Sequence, residues 1–476
     1  MSRPEPTPRA KIFAGGLRVA TAEALIFPTG MLTVAFLTRR LGPDGYGLYG
    51  LAAALVAWIE WTITAMFARA AVKFVSEASD WRPVGATVAR LHLWTSAGAA
   101  VLLWALSGQI ASLLGAPGLD ACLRLFAVDI PVFSYAHAHR NVLIGTGRFS
   151  ERAAMSAWRW SARLLLIVVL VESGLSVRGA VLGNIGASIV ELAIGRRYVR
   201  LSPFLRSDLP LRRFLGYAIP LSLSALCFQI FGKMDLFLLK TLGGTLRDAG
   251  FYGAAQNLAM VPGVLALSFS PLLLSTLSRQ HREGETGAAR AVARDAMRAG
   301  LCLLPLGAIS VGSASEIVQA LFGADFAPAA PIFALLMLSS LASVMVSIHT
   351  SILVAADRPE WTFLLAAAVT AFAALGHLAA IPALGAVGAA LVSAVFASAG
   401  SLASAAAVHR AWGVLPPPAT LLRTAAACAA AWGAAHLWPA PGLALLVKLP
   451  ALGALVLAVY AVTGEIRWRW WRARWG

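Results

Sequence analysis

The stretch Leu41-Gly42-Pro43-Asp44-Gly45-Tyr46-Gly47-Leu48-Tyr49 stands between two long apolar runs, and a relative of it returns as Leu242-Gly243-Gly244 followed by Gly250-Phe251-Tyr252-Gly253. Each copy leaves a helix that ends on a basic residue (Arg39 and Arg40; Lys240), turns on glycine, and re-enters apolar sequence at an aromatic-glycine pair. Three more pairs follow in the same order. Residues 110–115 echo 317–323, Gly145-Thr146-Gly147-Arg148 echoes Ala355-Ala356-Asp357-Arg358, and Gly179-Ala180-Val181 echoes Gly385-Ala386-Val387, all at offsets between 201 and 210. Four ordered matches at a nearly constant offset mark an internal duplication. They predict two lobes.

Composition says where those lobes reside. Of 476 residues, 59% are hydrophobic and 13% charged, against roughly 25% charged in a soluble protein. A chain so poor in polar surface belongs in a bilayer. A span needs about 20 apolar residues, and runs of that kind fall at 12–38, 46–75, 84–114, 119–144, 155–171 and 178–198, then at 214–240, 251–277, 291–312, 328–355, 361–381 and 385–408, and finally at 421–437 and 443–462. The first run is too long for a signal-peptide core and holds Arg18, Glu23 and Pro28, so it is expected to be a retained helix. The expected architecture is an all-α polytopic membrane protein of about 14 transmembrane helices. Its N-lobe covers 1–200 and a cytoplasmic connector 201–213, followed by a C-lobe over 214–410. Residues 411–476 add two helices and a basic Trp/Arg tail. An even number of spans per repeat implies parallel repeats, with a pseudo-twofold axis along the membrane normal and a cavity between the lobes.

The formal charge of +17 could suggest nucleic acid, but the basic residues fall in short clusters between apolar spans, which is the positive-inside pattern. With the N-terminus inside, loop Lys and Arg number 23 on the cytoplasmic side against 6 outside. Both termini are therefore expected in the cytoplasm, and the tail Arg467-Trp468-Arg469-Trp470-Trp471-Arg472 reads as an interfacial anchor among membrane lipids. The cysteines, Cys122, Cys227, Cys302 and Cys428, stand singly, with no CxxC pair, and read as packing residues. His137 and His139 are two apart and point to different helical faces, so no metal site is expected.

The Leu-Gly-Pro-x-x-Tyr-Gly turn resembles that of polysaccharide and O-antigen flippases of the multidrug/oligosaccharidyl-lipid/polysaccharide exporter superfamily. So does the opening of the second lobe, Tyr217-x-x-Pro220 followed by Lys233-Met234-Asp235 and Gly250-Phe251-Tyr252-Gly253. The resemblance extends over the whole chain. It implies a flippase of the bacterial inner membrane that moves a polyprenyl-pyrophosphate-linked oligosaccharide outward by alternating access, with no cofactor beyond a coupling H+ or Na+. The glycan polymerase and glycosyltransferases of the same pathway would be its partners, and nucleic acid would not.

Charges inside spans are costly and usually face a bundle interior or a wet cavity. Arg18, Arg69, Lys73, Arg140, Arg159 and Arg163 all lie toward the cytoplasmic ends of first-lobe spans. Arg69 with Lys73, and Arg159 with Arg163, are four apart on one helical face, where like charges repel unless an anion lies between them. With the substrate that the resemblance implies, its pyrophosphate would be that anion, and Arg is suited to it by its planar fork. These six, with Lys233, are the candidate substrate-binding cations; the alternative for them is snorkelling to the interface. Glu23, Glu60 and Asp129 fall roughly 14 to 21 Å into their spans and, with Asp235, are the candidates for ion coupling, the alternative being pairing with a neighbouring Arg. The chain has no G-x-x-x-x-G-K-[ST], no DxD loop and no GxSxG, so no catalytic residue is expected. Two other functions compete. A membrane glycan polymerase or ligase would need a long external loop, and a multidrug or cation exporter of the same superfamily would need an acidic cavity in place of a basic one.

Overall fold

The computed structural model describes residues 26–205 and 234–465. Among these every regular element is helical, and seven helical stretches are long and apolar enough to cross a membrane. Chain contacts divide the protein into two compact units, one from Met1–Thr241 with Thr245–Gly250 and the other from Leu242–Gly244 with Phe251–Gly476. Turns matched by the sequence repeat share a left-handed backbone: Gly42 and Gly243 (φ 67° and 103°), Gly115 and Gly323 (53° and 95°), Gly147 and Asp357 (73° and 57°).

In the first unit, α1 (Ile26–Glu77) is two helices joined at Gly42, where φ 67° and ψ 179° break the helical path ahead of Pro43. Glycine reaches that backbone without strain, and proline has no N–H to continue the ladder. A second glycine of the motif serves close approach: a Cβ at Gly47 would fall 1.9 Å from the Leu246 carbonyl oxygen, and one at Gly250 would fall 2.1 Å from that of Pro43. Next come α2 (Trp81–Leu113), capped by Asp80 accepting from the Arg82 N–H at 3.0 Å, then α3 (Leu119–Phe126) and α4 (Asp129–Gly145). The run expected at 119–144 is thus broken at Ala127 and Val128. The helices α5 (Phe149–Leu170) and α6 (Ser176–Tyr198) form a hairpin through a wide turn, Val171–Leu175, that contains Gly174 at φ 92°. Gly179, Gly183 and Gly186 line the face of α6 that lies on Leu170, Ile167 and Leu166. Small residues at this spacing let backbones meet where no hydrophobic effect drives helices together. Arg40 on α1 pairs with Glu172 at 2.7 Å and Gly45 rests near Val177, so the Gly42 bend lies beside that turn. The short α7 (Met234–Thr241), the described end of the run expected at 214–240, groups with this first unit.

α8 (Leu246–Ala259) leads into the second unit. There follow α9 (Val261–Arg282), α10 (Thr286–Leu301), α11 (Leu304–Gly312), α12 (Ala314–Phe322), α13 (Ala329–Ala355), α14 (Pro359–Trp412), α15 (Pro418–Leu437) and α16 (Leu445–Val462). α14 doubles back at Gly385 (φ 56°, ψ −135°), just after Pro382. Gly376 meets Val392 and Phe396, and Gly400 meets Val369, so its two arms run antiparallel and both ends emerge on one side. One core joins Leu273, Leu277, Met297, Ile348, Ile352, Val408 and Trp412; another packs Ile309 against Ala427, Ala431, Leu452 and Tyr460. Beyond α16, Glu465 is buried and accepts from Arg298, from Arg423 at 2.8 Å and from Thr420 at 2.9 Å. Burial alone would raise that carboxyl, but these bonds outweigh it and hold Glu465 below the usual range. In both units large apolar side chains point outward, among them Trp94, Trp104, Leu165, Leu402 and Val462, as a surface facing lipid tails requires.

Candidate functional site

Four helices of the first unit aim polar side chains at one buried place. On α4, Asp129, Phe133, His137 and Arg140 share a face by their spacing of four, four and three; on α6, Asn184, Ser188 and Glu191 do the same, and on α5 so do Arg159 and Arg163. From α1 come Tyr49 and Glu60, both buried. Glu191, wholly buried, takes Arg140 on one oxygen and Arg159 Nε at 3.1 Å from the other. Arg140 also stands 3.3 Å from His137 Nε2, while the Arg159 guanidinium lies 4.5 Å from the centre of the Phe133 ring. Arg163 donates to the Tyr49 hydroxyl at 3.3 Å and leans on Trp160. Asp129, also wholly buried, accepts from Asn184 Nδ2 at 2.6 Å.

Glu191 thus answers two of the three guanidiniums inside a low-dielectric bundle, where an unmatched charge costs several kcal/mol, while Glu60 and Asp129 share the cluster without an ion pair among the described residues. The cluster is also incomplete in hydrogen bonds. Glu60 Oε1, Asp129 Oδ1 and Thr64 Oγ1 are buried without a hydrogen-bond partner among the described residues. A buried carboxylate oxygen left over in this way has room in its bonding for a proton or a small cation.

The site residues expected from the sequence separate into groups. Arg140, Arg159, Arg163, Glu60 and Asp129 are brought together. Arg69 and Lys73 lie farther along α1, about 13 and 20 Å from Glu60 at 1.5 Å per residue, and are exposed; Lys73 has Glu77 at 3.9 Å. Asp235 opens α7, where its carboxylate accepts from the Leu236 N–H at 2.8 Å. Arg18, Glu23 and Lys233 lie outside the described residues. The anion that relieves repulsion beside Arg159 is an internal one, Glu191, which sequence reasoning passed over together with Asn184 and Tyr49. The i, i+4, i+7 spacing of Asn184, Ser188 and Glu191 in an apolar run was the available signal.

The family model described as "Polysaccharide biosynthesis protein" matches residues 36–331. The chain belongs to the polysaccharide biosynthesis protein family. A curated relative, the succinoglycan biosynthesis transport protein ExoT of Rhizobium meliloti (strain 1021), is 24% identical over 321 residues, which are 66% of this chain and 63% of that protein; the chain aligns with less than two thirds of that relative's length. Among solved structures, the lipid II flippase MurJ in an inward closed conformation superposes with a TM-score of 0.75 at 14% identity, covering 95% of this chain and 98% of MurJ. An inward-facing multidrug resistance MATE family transporter superposes at 0.60 with 13% identity, covering 83% and 94%. At those identities the likeness shows the fold. The protein is a multi-pass membrane protein of polysaccharide biosynthesis.

Proposed function

We propose that this protein is a flippase that carries a polyprenyl-pyrophosphate-linked oligosaccharide from the cytoplasmic to the outer leaflet of the bacterial inner membrane by alternating access, for exopolysaccharide, O-antigen or capsule assembly. The observation that carries it is the coincidence of a polysaccharide-biosynthesis family match with a whole-chain likeness to a lipid II flippase. The basic residues of the first unit support a phosphate-bearing substrate over a cationic drug, since Arg140, Arg159 and Arg163 come within one bundle. In this conformation Glu191 holds two of them. A diphosphate entering the site would compete with Glu191 for the same forks, which couples substrate arrival to rearrangement of α4, α5 and α6. Glu60 and Asp129, each with an unfilled oxygen, are the groups we assign to uptake of the coupling proton or sodium ion.

The test is transport by purified protein in proteoliposomes loaded with a fluorescent polyprenyl-diphosphate saccharide on one leaflet, read by access of a membrane-impermeant glycosidase. Wild type is expected to expose the sugar to the opposite side, faster under an imposed proton or sodium gradient. Glu60→Gln and Asp129→Asn should keep the protein inserted and remove the gradient response. Failure of wild type to move the labelled lipid, alongside efflux of a lipophilic cation, would transfer the assignment to a cation exporter.

A further inference from the structure

The second unit contains a cavity of about 330 Å³ lined by His281, Arg290, Arg358, Trp361, Arg410 and Trp412. It is assembled from helix ends: the last turn of α9, the first turns of α10 and α14, and the last turn of α14, which the bend at Gly385 returns to the same side. The volume is within the range of ligand pockets, roughly 300 to 1,000 Å³. Its chemistry is three guanidiniums beside two indoles at the end of a membrane-spanning bundle. Trp favours the headgroup level of a bilayer, and basic pockets between spans at that level hold lipid phosphates.

The arginine at the matching position of the first unit is held differently. The repeat matches Arg358 with Arg148 of the first unit. There Arg148 is satisfied from within, donating to the Tyr198 carbonyl at 3.0 Å and to Glu151 at 3.0 Å. Arg358 has instead Glu360 at 3.8 Å and the face of Trp361 at 5.8 Å. His281, whose ring lies tilted by 40° at 5.7 Å from that of Trp412, has a buried Nδ1 without a hydrogen-bond partner among the described residues. The nearby acid Asp357 is 3.7 Å from His281 Nε2 but 89% exposed, so it does not fill the cavity.

We propose that this cavity is a binding site for a phosphate-bearing anion, with Arg358, Arg410 and Arg290 supplying the donors and Trp361 and Trp412 the walls. The phosphate can come from an anionic phospholipid headgroup or from soluble diphosphate. Arg supplies paired N–H groups to two oxygens of one phosphate, which the exposed ends of these side chains can reach.

The experiment uses the full chain, stripped of lipid in detergent. Binding of phosphatidylglycerol, of phosphatidylcholine and of inorganic pyrophosphate is measured by native mass spectrometry and by competition. Wild type should retain phosphatidylglycerol over phosphatidylcholine, and Arg358→Gln with Arg410→Gln should weaken it about thirtyfold, as expected for two lost cations at a lipid phosphate. The Arg358→Lys and Arg410→Lys pair should fall between. Displacement of phosphatidylglycerol by pyrophosphate, or binding of pyrophosphate alone, assigns the site to the soluble source. A photoactivatable phosphatidylglycerol on the wild-type protein should label peptides spanning 281–290, 356–361 and 410–412, which needs no variant to fold. Labelling confined to other peptides, or Gln variants that bind both probes as wild type does, overturns the proposal.

Discussion

Replacing Glu191 by Gln removes one charge from the centre of a buried ion cluster while keeping its shape. Arg140 and Arg159, whose side chains are 15% and 13% exposed, would then lose their shared counter-charge. Breaking a buried pair from one side costs about 3 to 5 kcal/mol, because the remaining cation is left uncompensated. At about 2 to 4 °C per kcal/mol for a cooperative unit of 150–250 residues, the melting temperature of the purified protein should fall by on the order of 10 °C. Tryptophan fluorescence during heating in detergent reads this directly. The same assay on Arg159→Met, and on Glu191→Gln with Arg159→Met, completes a double-mutant cycle whose coupling should reach at least about 1 kcal/mol for groups in one network. An apolar triple, Glu191→Leu with Arg140→Met and Arg159→Met, should recover most of the loss, since well-packed apolar residues commonly replace a buried triad at no cost. If Glu191→Gln melts within about 2 °C of wild type and the cycle shows no coupling, the claim that Glu191 holds these arginines is refuted.

Gly183→Ala would place a Cβ 2.6 Å from Ile167 Cγ1 and 2.7 Å from its backbone N, and overpacking of this kind costs about 1 to 3 kcal/mol; Gly98→Ala, with open space around it, should melt no lower than wild type. Glu465 is held below its ordinary pKa of 4.5, so the stability it lends is complete above that pH and is lost as pH falls through the folded value. Glu465→Gln should lower the melting temperature at pH 7, and the gap should narrow as the pH is taken below 4.5 and close once it has passed through the lowered value of the folded protein; an unchanged gap across an acid titration counts against the bonds drawn there. A topology reporter fused after Arg206 should read cytoplasmic and one after Arg247 periplasmic, from the 23-to-6 bias of loop charges; both on one side would remove the orientation.

Much of the fold was legible because it rests on backbone rules. The Gly42 and Gly243 turns were readable from the repeated motif, and both adopt the left-handed backbone that favours glycine. The runs expected at 361–381 and 385–408 are the two arms of α14, and the glycine between them is where it turns. The break at Ala127 and Val128 between α3 and α4 falls where Pro131 cannot donate to the Ala127 carbonyl, so the proline marked a weakened span while the run of apolar residues still read as one helix. The site was legible in part. A mid-span charge announces itself by its cost, which is how Glu60, Asp129, Arg140, Arg159 and Arg163 were found. Its partner does not, because pairing is a property of which helices become neighbours. Glu191 was overlooked for that reason, and the empty corner beside Arg358 for another: its distinction from Arg148 lies in distances to Tyr198 and Glu360 that spacing does not encode.

The glycine face of α6 constrains how this sequence can drift. At Gly179 and Gly183 the neighbour lying under 3 Å from any added carbon includes backbone of α5, so no shaving of side chains opposite makes room for a larger residue. At Gly186 the obstacle is only the tip of Leu166, 2.7 Å away, and a smaller residue at position 166 would open a path. Two positions of the three are therefore closed to single-step and paired exchange alike, and the third is open to a pair taken in one order, with 166 changing first.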